Sequence, residues 1–183
     1  MNGRNIELIY GGAASGKSEY AESRAAGAGS PVYYLATMRR GSEVGDIRIK
    51  NHVKRREGKG FITMECPTDI EKTADKVRGG IVLLECLTNL AANELFTSDT
   101  GSCEDAAYKQ PDRVCDKILR DISAVSGGAA RLIVVSGDVM RDGESYSEET
   151  EAYIELMGRL NSELSAVSDR IYEVVYGCPK RIK

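Results

Sequence analysis

The sequence predicts an α/β fold: a mainly parallel sheet covered by helices, in one domain. Two observations carry that prediction. Short apolar, β-branched runs recur at Ile6–Tyr10, Val32–Leu35, Ile81–Leu84, Leu132–Val135 and Ile171–Val175. Their near-continuous apolar character is that of strands buried on both faces, as parallel strands are. Helical stretches lie between them, and such alternation implies crossovers joining parallel strands. The chain has 183 residues, enough for one globular domain with a real core. Residues 1–183 are therefore expected to form a single unit.

Taken in order, the first run leads into a glycine-rich segment and then a helical stretch, Lys17–Ala26. The second run closes on Ala36, Thr37 and Met38, at the end of a strand where open α/β sheets hold ligands. Ile47–Arg56 reads as a helix carrying several cations, and Phe61–Glu65 as a short strand that breaks at Pro67. Ser98–Pro111 and Asp138–Ser147 are polar and contain glycine, and both read as long surface loops. The clearest helix is Ser147–Ser168, which puts Tyr153, Leu156, Leu160, Leu164 and Val167 on one face. Ser145 followed by Glu148 reads as a capping box at its start.

Composition narrows the function. Hydrophobic residues make up 42% and charged residues 29%, the range of a soluble globular chain. No apolar run approaches the ~20 residues of a membrane span, and the N-terminus shows no long apolar signal core. The expected location is the cytoplasm. Five cysteines without a Cys-x-x-Cys pair argue against a disulfide framework and a thiolate zinc site. A single histidine excludes a histidine-rich metal site. The net charge of −3 is not that of a surface built for nucleic acid.

The strongest motif is Gly11-Gly12-Ala13-Ala14-Ser15-Gly16-Lys17-Ser18, which matches the phosphate-binding pattern G-x-x-x-x-G-K-[ST] in full. The glycines let the backbone wrap phosphates and aim N–H groups at their oxygens. Lys17 supplies a positive charge for the β and γ phosphates, and the Ser18 hydroxyl suits Mg2+. The helix that starts near Lys17 adds the positive end of its dipole. A strand before and a helix after the loop complete the context of a P-loop NTPase-like fold. The loop alone names no reaction, because kinases, switches and nucleotidyltransferases all use it.

Two further features gather around this chemistry. On a helix, His52 has Arg48, Arg55 and Arg56 near one face. Neighbouring cations keep an imidazole neutral and nucleophilic, and would also hold a triphosphate. A solvated basic helix on which His52 is incidental is the simpler reading of those charges alone. Glu85 ends the run Ile81-Val-Leu-Leu, where a carboxylate can hold magnesium or contact the nucleotide. A solvent-facing carboxylate at a strand end is its competitor. Nothing intrinsic marks Glu65.

Together these residues resemble the bifunctional adenosylcobinamide kinase and adenosylcobinamide-phosphate guanylyltransferase family. The resemblance runs nearly end to end. It joins Gly11–Ser18 and Ala21-Glu22 to Tyr34-Leu-Ala-Thr37, Arg48-Ile-x-x-His52-x-x-x-Arg56, Thr63-Met-Glu65, Leu83-Leu-Glu-Cys-Leu-Thr88 and Asn93-Glu-Leu-Phe96. It continues in Gly158-Arg-Leu-Asn161, Val174-Val-x-Gly177 and Ile182-Lys183. The resemblance implies that His52 attacks the α-phosphate of GTP, releases pyrophosphate and passes GMP to adenosylcobinamide phosphate. It implies GTP contacts from the loop, from Ala36, Thr37 and Met38, from Val53, Lys54, Arg55 and Arg56, and from Glu65 and Glu85. It also implies phosphorylation of the aminopropanol hydroxyl of adenosylcobinamide from ATP or GTP, and a trimeric assembly. Two places depart from the family pattern. Ala14 stands where an arginine is usual. Gly137-Asp-Val-Met140 and Arg141–Glu149 replace Asn-Glu-Val-Gly and a following Val-Pro-Glu run, a stretch expected to border the acceptor site. The alternatives are a plain P-loop small-molecule kinase with no covalent intermediate, and a GTP-binding module without transfer chemistry.

Overall fold

The computed structural model describes residues 5–26, 30–39, 58, 60–96, 110–139 and 146–183. Seven strands form one sheet: β1 (Ile6–Tyr10), β2 (Val32–Ala36), β3 (Phe61–Glu65), β4 (Ile81–Glu85), β5 (Arg131–Val135), β6 (Arg170–Val175) and β7 (Cys178–Arg181). Their spatial order is β3-β2-β4-β5-β1-β6-β7. Every neighbouring pair is parallel except β6–β7, which is antiparallel. The helices are α1 (Lys17–Ala25), α2 (Leu87–Leu95), α3 (Pro111–Gly128) and α4 (Glu148–Val167), with a 3-10 turn at Ile70–Thr73.

The apolar runs are continuous because both sheet faces are covered. Alternate side chains point to opposite faces. Leu8, Val82, Leu84, Leu132 and Val134 form one core with Leu90 of α2, Ile118 and Ile122 of α3, and Leu156 and Leu160 of α4. Ile9, Ile81, Leu83, Ile133, Val135 and Val174 form the other with Ala21 and Ala25 of α1. Helices on both faces of a mainly parallel sheet are the architecture the sequence predicts.

Several elements differ in detail. The cap of α4 is Ser147, whose hydroxyl accepts from the Thr150 amide (3.4 Å), so the helix starts two residues later than a Ser145 cap requires. Val167, placed on the apolar face by its spacing, is 47% exposed, because α4 ends there beyond the edge of the core. Pro111 opens α3 instead of closing a loop. Its fixed φ suits the first helical position, where no intrahelical N–H is needed. The strand β7 was not apparent at all. It pairs with β6 through the two-residue turn Tyr176-Gly177, with Val175 opposite Cys178. Both turn residues have positive φ (48° and 77°), as a type I′ hairpin needs.

Candidate nucleotide site at the carboxyl edge of the sheet

Parallel strands bring their carboxyl ends to one edge, and the chain places its reactive groups there. A cavity of about 590 Å3 opens along that edge. Its wall includes the loop at Gly11 and Ala13–Ser18, with Ala36 and Met38 after β2, Glu65 at the end of β3 and Glu85 at the end of β4.

The loop is set by backbone constraints. Gly16 sits at φ 90°, and a Cβ there would stand 3.1 Å from the Gly177 Cα. A Cβ on Gly11 would meet the Val174 carbonyl at 2.5 Å and the Ser15 hydroxyl at 2.7 Å. Neither position admits a side chain. Ala14 also adopts a left-handed conformation (φ 54°). The hairpin holds the loop from behind, since the Gly177 amide donates to the Ser15 carbonyl (2.7 Å). Lys17 opens α1 and its Nζ donates to the Gly12 carbonyl (2.9 Å), which keeps the ammonium over the loop.

Ser18, in the first turn of α1, donates through its hydroxyl to Glu85 Oε1. Glu85 is 8% exposed, so the solvent-facing alternative for this carboxylate does not hold. Beside it the Cys86 thiol contacts the Thr88 hydroxyl (2.9 Å), and burial pushes the thiol pKa up. That cysteine is a packed neutral group, not a thiolate.

Thr37 plays a different part from its neighbours. It is fully buried, and its hydroxyl donates to the Cys86 carbonyl (2.9 Å) while accepting from the Cys86 amide (2.8 Å). Asn93 donates to the carbonyls of Thr37 (2.7 Å) and Pro67 (2.9 Å). These bonds tie the ends of β2, β3 and β4 together and fix the cavity floor. The Thr37 side chain is occupied by that clamp, while Ala36 and Met38 reach the cavity wall.

Of the other lining residues, Asn89 carried no signal in the sequence, Tyr34 and Thr88 stood only within segments that carry the resemblance, and Asp138 stood in the departing stretch expected to border the acceptor site. Tyr34, Thr88, Asn89 and Asp138 reach the wall only because of strand order and the position of α2. Asp138 follows β5, and its carboxylate stands beside Tyr10 of β1. Burial and that carboxylate push the Tyr10 phenol up to about 12. His52, Val53, Lys54, Arg55 and Arg56 lie outside the described residues.

Comparison with known proteins decides among nucleotide-binding chemistries. The family model described as "Cobinamide kinase / cobinamide phosphate guanyltransferase" matches residues 7–182. The chain belongs to this family. It is 30% identical over 182 residues to the bifunctional adenosylcobalamin biosynthesis protein CobU of Salmonella typhimurium, covering 96% of this chain and 98% of that protein. It is 30% identical over 179 residues to the bifunctional adenosylcobalamin biosynthesis protein CobP of Pseudomonas aeruginosa, covering 97% and 96%. Among solved structures, an ATPase from the type III secretion system of pathogenic bacteria aligns with a TM-score of 0.54 and 9% identity. That alignment covers 93% of this chain and 51% of the ATPase, and it bears on the fold alone. Among the described residues, no helix is long and apolar enough to cross a membrane.

Proposed function

We propose that this chain phosphorylates the aminopropanol hydroxyl of adenosylcobinamide with ATP or GTP, then transfers GMP from GTP to the resulting phosphate. The observation that carries this reading is the Lys17–Ser18–Glu85 arrangement on a phosphate loop, within a family match to residues 7–182.

The loop amides and Lys17 hold the phosphates, with the dipole of α1 behind them. The Ser18 hydroxyl and the Glu85 carboxylate meet at the cavity floor, and such hard oxygen donors fit Mg2+. When bound there, the ion would neutralise charge on bridging phosphate oxygens. Ala36, Met38 and Glu65 extend the wall away from the loop and line the room for the rest of the nucleotide.

The guanylyl half proceeds through His52. An imidazole nitrogen attacks the α-phosphorus of GTP, and the bond to the bridging oxygen breaks to release pyrophosphate. The phosphate of the corrinoid then attacks the histidine-bound GMP and frees the imidazole. Arg55 and Arg56 offset the growing negative charge, with Val53 and Lys54 beside the nucleotide. Assembly into a homotrimer in the cytoplasm belongs to the same proposal.

The test is covalent labelling. Incubation with GTP labelled at the α-phosphate should give acid-labile label on the wild-type protein and none on His52→Ala. A simple kinase would instead move γ-label to the acceptor with no protein-bound GMP, and a binding module would leave adenosylcobinamide phosphate unchanged.

A further inference from the structure

We propose that Asp138 receives the proton of the acceptor alcohol during phosphoryl transfer, an assignment that rests on the kinase half of the function proposed above. The sheet order makes the case. β5 lies between β1, which feeds the phosphate loop, and β4, which ends on Glu85. The segment leaving β5 therefore emerges between the two groups that handle the phosphates. At Gly137 it runs so close that a Cβ would stand 3.1 Å from the Thr88 side chain and 4.0 Å from the Gly11 carbonyl. Asp138 is the next residue.

The backbone that leads into it is held from α4. The Ser136 hydroxyl donates to Asn161 Oδ1 (2.6 Å), and Asn161 Nδ2 donates to the Gly137 carbonyl (3.4 Å). Tyr10 of β1 stands beside Asp138 in the wall of a neighbouring cavity. A group so anchored presents its oxygens in one place, which is what a proton acceptor needs.

Asp138 also belongs to two cavities. One is the nucleotide cavity. The other, of about 580 Å3, lies between β1, β6 and α4 and includes Tyr10, Val139, Met157 and Ile182 in its wall. Asp138 is the residue the two have in common. It thus has the triphosphate side on one hand and a solvent-open groove on the other, where an alcohol can approach in line.

The other carboxylates of the nucleotide cavity are placed for other work. Glu85 is bonded to Ser18. Glu65 ends β3, at the far edge of the sheet, with β2, β4 and β5 between it and β1. Glu19 lies in the first turn of α1, on the loop side of the cavity and away from the second groove. Asp138 is exposed, so it can return a proton to water after each turnover.

The step balances as follows. The alcohol oxygen forms a bond to the γ-phosphorus, the bond from that phosphorus to the β,γ-bridging oxygen breaks, and its electron pair leaves on the nucleoside diphosphate. The alcohol proton passes to an Asp138 oxygen.

Two variants test this: Asp138→Asn and Asp138→Glu. Each is assayed with γ-labelled ATP and adenosylcobinamide, and separately for guanylyl transfer to preformed adenosylcobinamide phosphate. In D138N, kcat for phosphorylation should fall ~100-fold or more, with little change in the nucleotide KM and with guanylyl transfer retained. The acid limb of the phosphorylation pH profile should vanish in D138N and return in D138E. A D138N enzyme that phosphorylates at the wild-type rate overturns the assignment. So does loss of both halves together, or a pH profile indifferent to both substitutions. A wild-type protein that phosphorylates no corrinoid at all sinks the function itself.

Discussion

The Gly177 amide donates to the Ser15 carbonyl at 2.7 Å, so the tip of the β6–β7 hairpin is a back support for the phosphate loop. The two glycines at this contact are not equivalent. A side chain at Gly16 meets both a positive φ and the Gly177 Cα at 3.1 Å, whereas at Gly177 only the positive φ opposes it. Gly177→Ala should cost about 1 kcal/mol of stability and leave nucleotide binding nearly intact. Gly16→Ala should abolish nucleotide binding, because the loop must open to make room. Calorimetric titration with GTP and urea midpoints on both variants check this. Equal loss of binding in the two would show that the contact does not work as described.

Magnesium handling provides a second prediction. The Ser18–Glu85 contact puts a hydroxyl and a carboxylate together on the cavity floor. Ser18→Ala and Glu85→Gln should each raise the magnesium concentration for half-maximal activity by about tenfold or more, since each removes a hard oxygen donor or its charge. Nucleotide affinity measured in EDTA should change little, because the loop amides and Lys17 remain. Magnesium titrations of both transfer reactions give the answer.

Much of this arrangement was legible in the sequence, and the limits have physical reasons. Four buried strands and the loop at Gly11–Ser18 were visible because double-sided burial and phosphate wrapping each demand particular residue types; β6 shared the apolar pattern although Val174 is its one buried residue. β7 was not, since Cys178-Pro-Lys-Arg181 is exposed throughout and is defined by a turn whose first residue is a tyrosine. Thr37 looked like a ligand contact because it ends a strand. Its hydroxyl serves Cys86, a relation that exists only because β2 lies beside β4. Asp138 read as the start of a loop for the same reason: strand order, which local pattern does not encode, brings it beside Gly11.

A third prediction concerns Glu7, which lies fully buried on β1. Its carboxylate pairs with Arg24 (2.9 Å), Arg170 (2.9 Å) and Arg131 (3.5 Å), joining α1, β5 and β6 to the strand that carries the phosphate loop. Arg24 also stacks over the Tyr172 ring (5.3 Å), which meets Tyr20 edge-on. The arginines are partly exposed, so removing the carboxylate should cost about 3 kcal/mol, the lower end of the range for breaking a buried pair. Glu7→Gln should show this loss in denaturant titration, diminished at high salt. A change below ~0.5 kcal/mol would place the pair among the weak surface bridges.

The fourth prediction is a pH dependence centred on Asp121, on α3. One ammonium, Lys117, contacts Asp121 (3.0 Å), Glu94 (2.7 Å) and Asp69 (2.8 Å), and Lys72 also reaches Asp69 (2.8 Å). Glu71 stands beside Asp121, so two carboxyls meet with too few cations to serve every acid. Burial, together with the Glu71 carboxylate, pushes Asp121 up to about 6 against the pull of Lys117. A carboxyl whose folded pKa lies above its unfolded value binds its proton more tightly in the native state. It therefore contributes stability at low pH, and that contribution disappears as pH rises through 6. Asp121→Asn mimics the protonated form, its amide donating to Glu71 while its oxygen still accepts from Lys117. Between pH 5 and pH 7.5 the wild type should lose about 1 kcal/mol more than the variant, read from urea midpoints. Parallel pH profiles for the two proteins would show that Asp121 is ionised across the whole window and that Lys117 satisfies all three of its partners.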